Sequence, residues 1–189
     1  MQLKSVTSPR WLPHALAHFD EVLVDHAHCE KKAAANALSL LQAFPEVPGL
    51  PAQMARLARE EASHLAKVLQ VMEGRGLTLG FDRGDPYAKG LLQLARNPAK
   101  ERRLDRLLIA GIIESRSFER LELLAGGLTD PALKKLYAEL AKSEDGHQKL
   151  FVRLAKAVEP EAVVDARLDV LLTGEAELVE RLPLRAAVH

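Results

Sequence analysis

The stretch SEDGHQKLF, residues 143–151, places Glu144 and His147 three residues apart. Residues at i and i+3 lie side by side on one face of a helix. That face is otherwise apolar: Leu133, Leu136 and Leu140 precede the pair at spacings of three and four, and Phe151, Leu154 and Val158 follow it. A carboxylate and an imidazole therefore occupy seam positions where a packed helix wants leucine. The same replacement occurs once more. Met54, Leu57, Glu61, His64, Val68 and Val71 form a second seam, again interrupted by Glu-x-x-His.

A buried carboxylate costs several kcal/mol unless it is paired or coordinates a cation. Two seams with buried Glu and His need a shared positive partner, and carboxylate oxygens with neutral imidazole suit iron or manganese. In the helical-bundle form of such a site, two helices each supply one Glu and the other two each supply Glu-x-x-His, all directed inward. The single glutamates are read at Glu114, inside the apolar run LLIAGIIESRSFERL, and at Glu30, on a face shared with Phe19, Leu23, Ala33 and Ala37. Glu30 precedes Glu61 by 31 residues and Glu114 precedes Glu144 by 30, the spacing of a duplicated helix pair. The expected metal ligands are Glu30, Glu61, His64, Glu114, Glu144 and His147.

Around these seams the chain reads as four long helices, over 13–44, 51–73, 98–125 and 130–158, with Thr129 capping the last and Asp130 and Pro131 in its first turn. A short helix is expected in YAKGLLQLAR, a glycine-rich loop at 74–86, and shorter helical patterns in EAVVDARLDVLL and GEAELVERL. No β-type alternation is present. The expected fold is all-α: a four-helix bundle with additional short helices, one domain over 1–189, its core at 13–158 and a helical tail at 159–189.

Composition supports this reading. Apolar residues make up 48% of the 189, charged residues 28% and aromatics only 4%, which favours helix over sheet. No apolar run reaches the roughly 18 residues a membrane span needs, and MQLKSVTSPRW has no apolar core of a secretory signal. The single cysteine, Cys29, excludes an internal disulfide framework and points to a reducing cytoplasm. Net charge is zero, but residues 75–120 carry ten Lys/Arg against six Asp/Glu, and residues 157–189 seven acidic against three basic. That asymmetry permits a nucleic-acid face.

Other polar residues have weaker patterns. Glu60, Glu119, Glu122 and Glu139 fall off the seams and are expected in solvent. His26, one turn before Glu30, either orients a ligand carboxylate or is a satisfied core histidine. Cys29 reads as small core filler and Tyr137 as packing, while His14, His18, His28 and His189 have no partner pattern.

The segments DHAHCEKKAA, REEASHL, LLIAGIIESRSFERL and SEDGHQKLF, with the early WLP, resemble the bacterial tRNA 2-methylthio-N6-isopentenyladenosine hydroxylases, di-iron monooxygenases of the ferritin-like superfamily. The resemblance runs from Trp11 to about Arg185. It implies a ferritin-like bundle holding two iron ions on the six residues named above. It further implies that O2 is co-substrate, that electrons come from an external donor, and that the prenyl group of the hypermodified adenosine beside the tRNA anticodon is the target. For tRNA phosphates the candidates are Arg96, Lys100, Arg102, Arg103 and Arg106, whose other reading is a solvated helix start with local ion pairs. Phe81 and Tyr87 are the loop aromatics available to stack on a base. The oligomeric state is not specified.

The ligand pattern alone also suits an iron-oxidising or peroxide-detoxifying protein of the ferritin–rubrerythrin type. One cysteine cannot supply the Cys-x-x-Cys rubredoxin module that such proteins often carry.

Overall fold

The structure, a computed structural model, describes residues 1–189 and contains seven helices and no strand. They are α1 (Trp11–Ala17), α2 (Phe19–Ala43), α3 (Leu50–Gly74), α4 (Pro86–Leu92), α5 (Ala99–Gly127), α6 (Pro131–Val158) and α7 (Glu161–Arg181). None is long and apolar enough to cross a membrane.

Three expectations are corrected. The first long helix is interrupted at His18, whose φ of −121° and ψ of 40° leave the helical region. Its N–H closes α1 on the His14 carbonyl, and its own carbonyl accepts from Glu21 and Val22 to open α2. The tail is one helix rather than two. Gly174 lies inside α7 because the chain packs against it: a Cβ there would stand 2.7 Å from Leu94 Cδ1. The cap of α6 is Asp130, not Thr129; its carboxylate accepts from Ala132 N at 2.8 Å and Leu133 N at 3.1 Å, with Pro131 at the first helical position.

The backbone divides into two compact units. One comprises Pro13–Arg83 with Arg185–Val188 and is built on the α2–α3 hairpin. Val22, Leu23, Ala27 and Leu40 of α2 and Met54, Leu57, Val68 and Met72 of α3 are buried there, each large aliphatic contributing about 1.5–3 kcal/mol. Glu30 lies thirteen residues before the end of α2 and Glu61 eleven after the start of α3. An antiparallel pair joined by a short loop brings them level.

The other unit comprises Met1–Leu12, Gly84–Leu184 and His189, and is built on α5 and α6, with α4 and α7 packed on them. Glu114 lies thirteen residues before the end of α5 and Glu144 thirteen after the start of α6, the same register. Gly111 permits the close approach: a Cβ there would lie 3.2 Å from Phe151 Cβ. α7 is locked to α5 by a buried charge network. Arg116, wholly buried, donates to Glu175 Oε1 from Nε at 3.0 Å and from Nη2 at 2.6 Å, and Tyr87 of α4 donates to the same oxygen at 3.0 Å. Arg116 also reaches Ser5 and Thr7, so the N-terminal segment is tied into the unit.

Candidate metal centre

Each helix pair carries one half of the expected donor set. On α2 and α3, Glu30, Glu61 and His64 are 4%, 0% and 5% exposed, and one donor atom of each lies within 4.8 Å of the others. His64 Nδ1 stands 3.6 Å from Glu30 Oε2 and 3.4 Å from Glu61 Oε2. On α5 and α6, Glu114, Glu144 and His147 are equally buried and equally clustered, with His147 Nδ1 3.3 Å from Glu144 Oε2.

These separations exceed the 2.7–3.2 Å of a good N–H···O hydrogen bond. The His64–Glu61 and His147–Glu144 separations match donors arranged about one cation: two ligands about 2.1 Å from a metal at near-right to tetrahedral angles lie roughly 3.0–3.4 Å apart. Carboxylate oxygens with imidazole nitrogen are the donor chemistry of iron, manganese or zinc. The two carboxylates and one imidazole on each hairpin therefore fit a metal.

The surroundings hold these donors in place. His26, 1% exposed, has Nε2 2.8 Å from Glu30 Oε1, one helical turn away. Burial by itself would raise the Glu30 carboxyl, but the bonds to His26 and His64 outweigh it and keep the group well below the usual carboxylate range. For His64, burial works downward while the two carboxylates beside it work upward and win, raising the imidazole to about 9. In the other unit the Ser115 hydroxyl lies 2.8 Å from both the Gly111 carbonyl and Gln148 Oε1, linking α5 to α6 beside the ligands. Gln148 in turn donates to Asp145 at 3.1 Å.

Sequence reading missed Ser115 and Gln148. Their signal was present in part, since Gln148 adjoins His147 and Ser115 adjoins Glu114, but neither interrupts a seam. Glu119 is a correction: instead of facing solvent it accepts from Thr7 N at 2.9 Å and Thr7 Oγ1 at 2.6 Å, and pairs with Arg116. His189 also has partners, Asp85 at 3.0 Å and Ser117 at 2.7 Å. Tyr87 is 2% exposed and cannot stack on a base, whereas Phe81 is 98% exposed. Cys29 is buried, with Sγ 3.6 Å from Asp25 Oδ2.

The five cationic candidates have different surroundings. Arg96 binds the fully buried Asp105 through two side-chain nitrogens at 2.8 and 3.0 Å and its own N–H at 2.8 Å. Lys100 and Arg103 lie 3.5 and 3.9 Å from Glu159. Arg102 is exposed, and Arg106 has its guanidinium pushed down by burial and by the charge of Arg102.

The whole chain, residues 1–189, matches the family described as tRNA-(MS[2]IO[6]A)-hydroxylase (MiaE). Over 174 residues it is 36% identical to the tRNA 2-(methylsulfanyl)-N(6)-isopentenyladenosine(37) hydroxylase of Pseudomonas putida, covering 92% of this chain and 84% of that one. The protein of the same description from Salmonella typhimurium is 32% identical over 127 residues, 67% of this chain and 46% of that longer one. Among solved structures, a Synechococcus protein with aldehyde deformylating oxygenase activity superposes with a TM-score of 0.95 at 38% identity, over 100% of this chain and 96% of that one. The fold is all-α and ferritin-like.

Proposed function

Because the chain belongs to the MiaE family of tRNA hydroxylases, we propose that it is a monooxygenase placing a hydroxyl on the isopentenyl side chain of 2-methylthio-N6-isopentenyladenosine at tRNA position 37. The observation that carries this is the duplicated donor set, one Glu plus one Glu-x-x-His buried on each of two helix hairpins. Glu30, Glu61, His64, Glu114, Glu144 and His147 are the proposed ligands of two iron ions. Three donors per hairpin would leave an ion held there short of a full shell, with open positions for a small molecule.

With iron bound, the centre would supply O2 activation: one oxygen atom enters a C–H bond, and the other leaves as water with two electrons and two protons from an external donor. The chain's own residues hold the ligands and exclude water. His26 keeps the Glu30 carboxylate charged and oriented, and Ser115 with Gln148 joins the two helices that carry Glu114, Glu144 and His147. Ile109, Ala110, Gly111 and Ile112, buried before Glu114, give the apolar setting a prenyl chain requires. Lys100, 76% exposed at its side chain, and the exposed Arg102 are the best placed of the cationic candidates to meet tRNA phosphates. The enzyme acts on tRNA in the cytoplasm.

The test is nucleoside analysis of tRNA bearing the isopentenylated base after incubation with iron-loaded protein, a reductant and air. The hydroxylated nucleoside should accumulate, and its absence with active iron-loaded protein would refute the assignment. A second reading, an oxygenase of aldehydes at the same centre, is favoured by the Synechococcus relative. A parallel reaction with an aldehyde separates the two: loss of aldehyde together with unaltered tRNA would select the second.

A further inference from the structure

We infer that Phe81 is a stacking platform for an unpaired base of the RNA substrate, with Lys31 receiving a neighbouring phosphate; this rests on the tRNA reading above. Phe81 is 98% exposed, more than any other large apolar side chain of the protein. Leaving a phenylalanine in water forgoes the stabilisation that its burial would contribute, so stability does not explain it. The backbone itself presents the ring. Gly80 and Gly84, at φ of 63° and 84°, bracket Phe81–Arg83 in left-handed conformations that other residues resist.

The loop is anchored by charge. Asp82 reaches α2, with its carboxylate 3.1 Å from Lys31 Nζ, 3.9 Å from Lys32 Nζ and 3.8 Å from His28 Nδ1. The Lys32 ammonium nitrogen is buried, while Lys31 stays 44% exposed at its side chain. The patch therefore keeps an accessible ammonium group beside an exposed aromatic face. That combination binds single-stranded nucleic acid: the ring stacks on a base and the cations meet the backbone. A protein partner fits less well, because Phe81 is followed by Asp82 and Arg83 and flanked by glycine, not by further apolar surface. The location is functional too. Lys31 and Lys32 follow Glu30 directly in α2, so a base on Phe81 lies against the turn that carries one of the proposed ligands.

The test is binding of the full-length protein to a labelled anticodon stem-loop RNA carrying the isopentenylated adenosine, followed by fluorescence anisotropy at several salt concentrations. Phe81→Ala should weaken binding about 5- to 100-fold, the range of a lost base–aromatic stack, while Phe81→Trp keeps it. Lys31→Gln should lower the slope of log affinity against log salt by about one. Wild-type protein that binds this RNA alongside a Phe81→Ala protein of equal affinity overturns the platform alone. Wild-type protein that neither binds nor hydroxylates it overturns the tRNA reading and the platform with it. A Phe81→Ala change that dissolves an oligomer on a sizing column, with RNA affinity intact, makes the ring a self-association contact and also overturns the proposal.

Discussion

Replacing His26 with Leu isolates the support given to one proposed ligand. The imidazole Nε2 stands 2.8 Å from Glu30 Oε1, and both residues are almost fully buried. A hydrogen bond to a charged group is worth about 1.5–3 kcal/mol, and desolvation here favours the upper part of that range. Glu30 must be ionised to bind a cation, and the bond to His26 helps keep it so against burial, which works the other way. If the lost bond appears wholly in metal affinity, binding at the α2–α3 half of the centre weakens about 10- to 150-fold, at 1.4 kcal/mol per decade. That agrees with the 10- to 100-fold typical of groups that orient metal ligands. The assay is competitive titration of metal-free protein with Fe(II) or Co(II) against a chelating dye. His26→Gln, which can still donate to the carboxylate, should stay within about threefold of wild type. Far-UV circular dichroism guards against unfolding. A His26→Leu protein that is folded and binds metal within about twofold of wild type would refute the reasoning.

Glu114→Ala should abolish hydroxylation and reduce iron per chain by elemental analysis while the protein stays helical, since an apolar residue at a seam costs less than an unpaired charge; full activity would mean a wrong ligand set. Glu175→Leu leaves Arg116 with only the partly exposed Glu119 as a carboxylate partner in its network. It should cost about 3–5 kcal/mol, a fall in Tm of roughly 8–12 °C for a chain this long, with much of it restored by Arg116→Met in the same chain. Asp105 supplies an acid-sensitive element. Burial would raise its carboxyl, but Arg96 and Arg167 outweigh that and lower it from 3.8 to about 2. Its contribution is complete above pH 3.8 and is lost as pH falls through about 2. Denaturant melts should therefore show wild type losing about 2 kcal/mol over that window, and Asp105→Asn, less stable to begin with, lacking that loss.

Much of the architecture was legible because it rests on local rules. Helices α3, α5 and α6 begin and end within about two residues of the sequence expectation, since Pro51, Pro98 and Pro131 start them and the glycine and proline clusters beyond stop them. The site was legible for a stronger reason: a charged residue in an apolar seam contradicts the pattern around it, and two contradictions at matched spacing leave few explanations. Glu30, in a locally polar stretch, was the hardest candidate to place, and it is 4% exposed. Where glycine and histidine were concerned, local rules misled. Gly174 reads as a breaker and is instead a packing position, and nothing in the sequence shows that His18 ends one helix and starts another.

By itself, the sequence determined the helix count of the core, the six candidate ligands and their pairing into two halves, because helical periodicity turns spacing into position on a face. Only the tertiary structure decided what depends on partners distant in the chain. Arg96 looked like a phosphate contact until folding set it on Asp105, and Glu119 looked solvated until Thr7 and Arg116 closed on it. Tyr87 and Phe81 were equal candidates for stacking, yet Glu175, 88 residues from Tyr87, draws one ring into the interior, while two left-handed glycines hold the other in water. Charge and aromaticity are properties of a residue; whether they remain available to a ligand is decided by what the fold places against them.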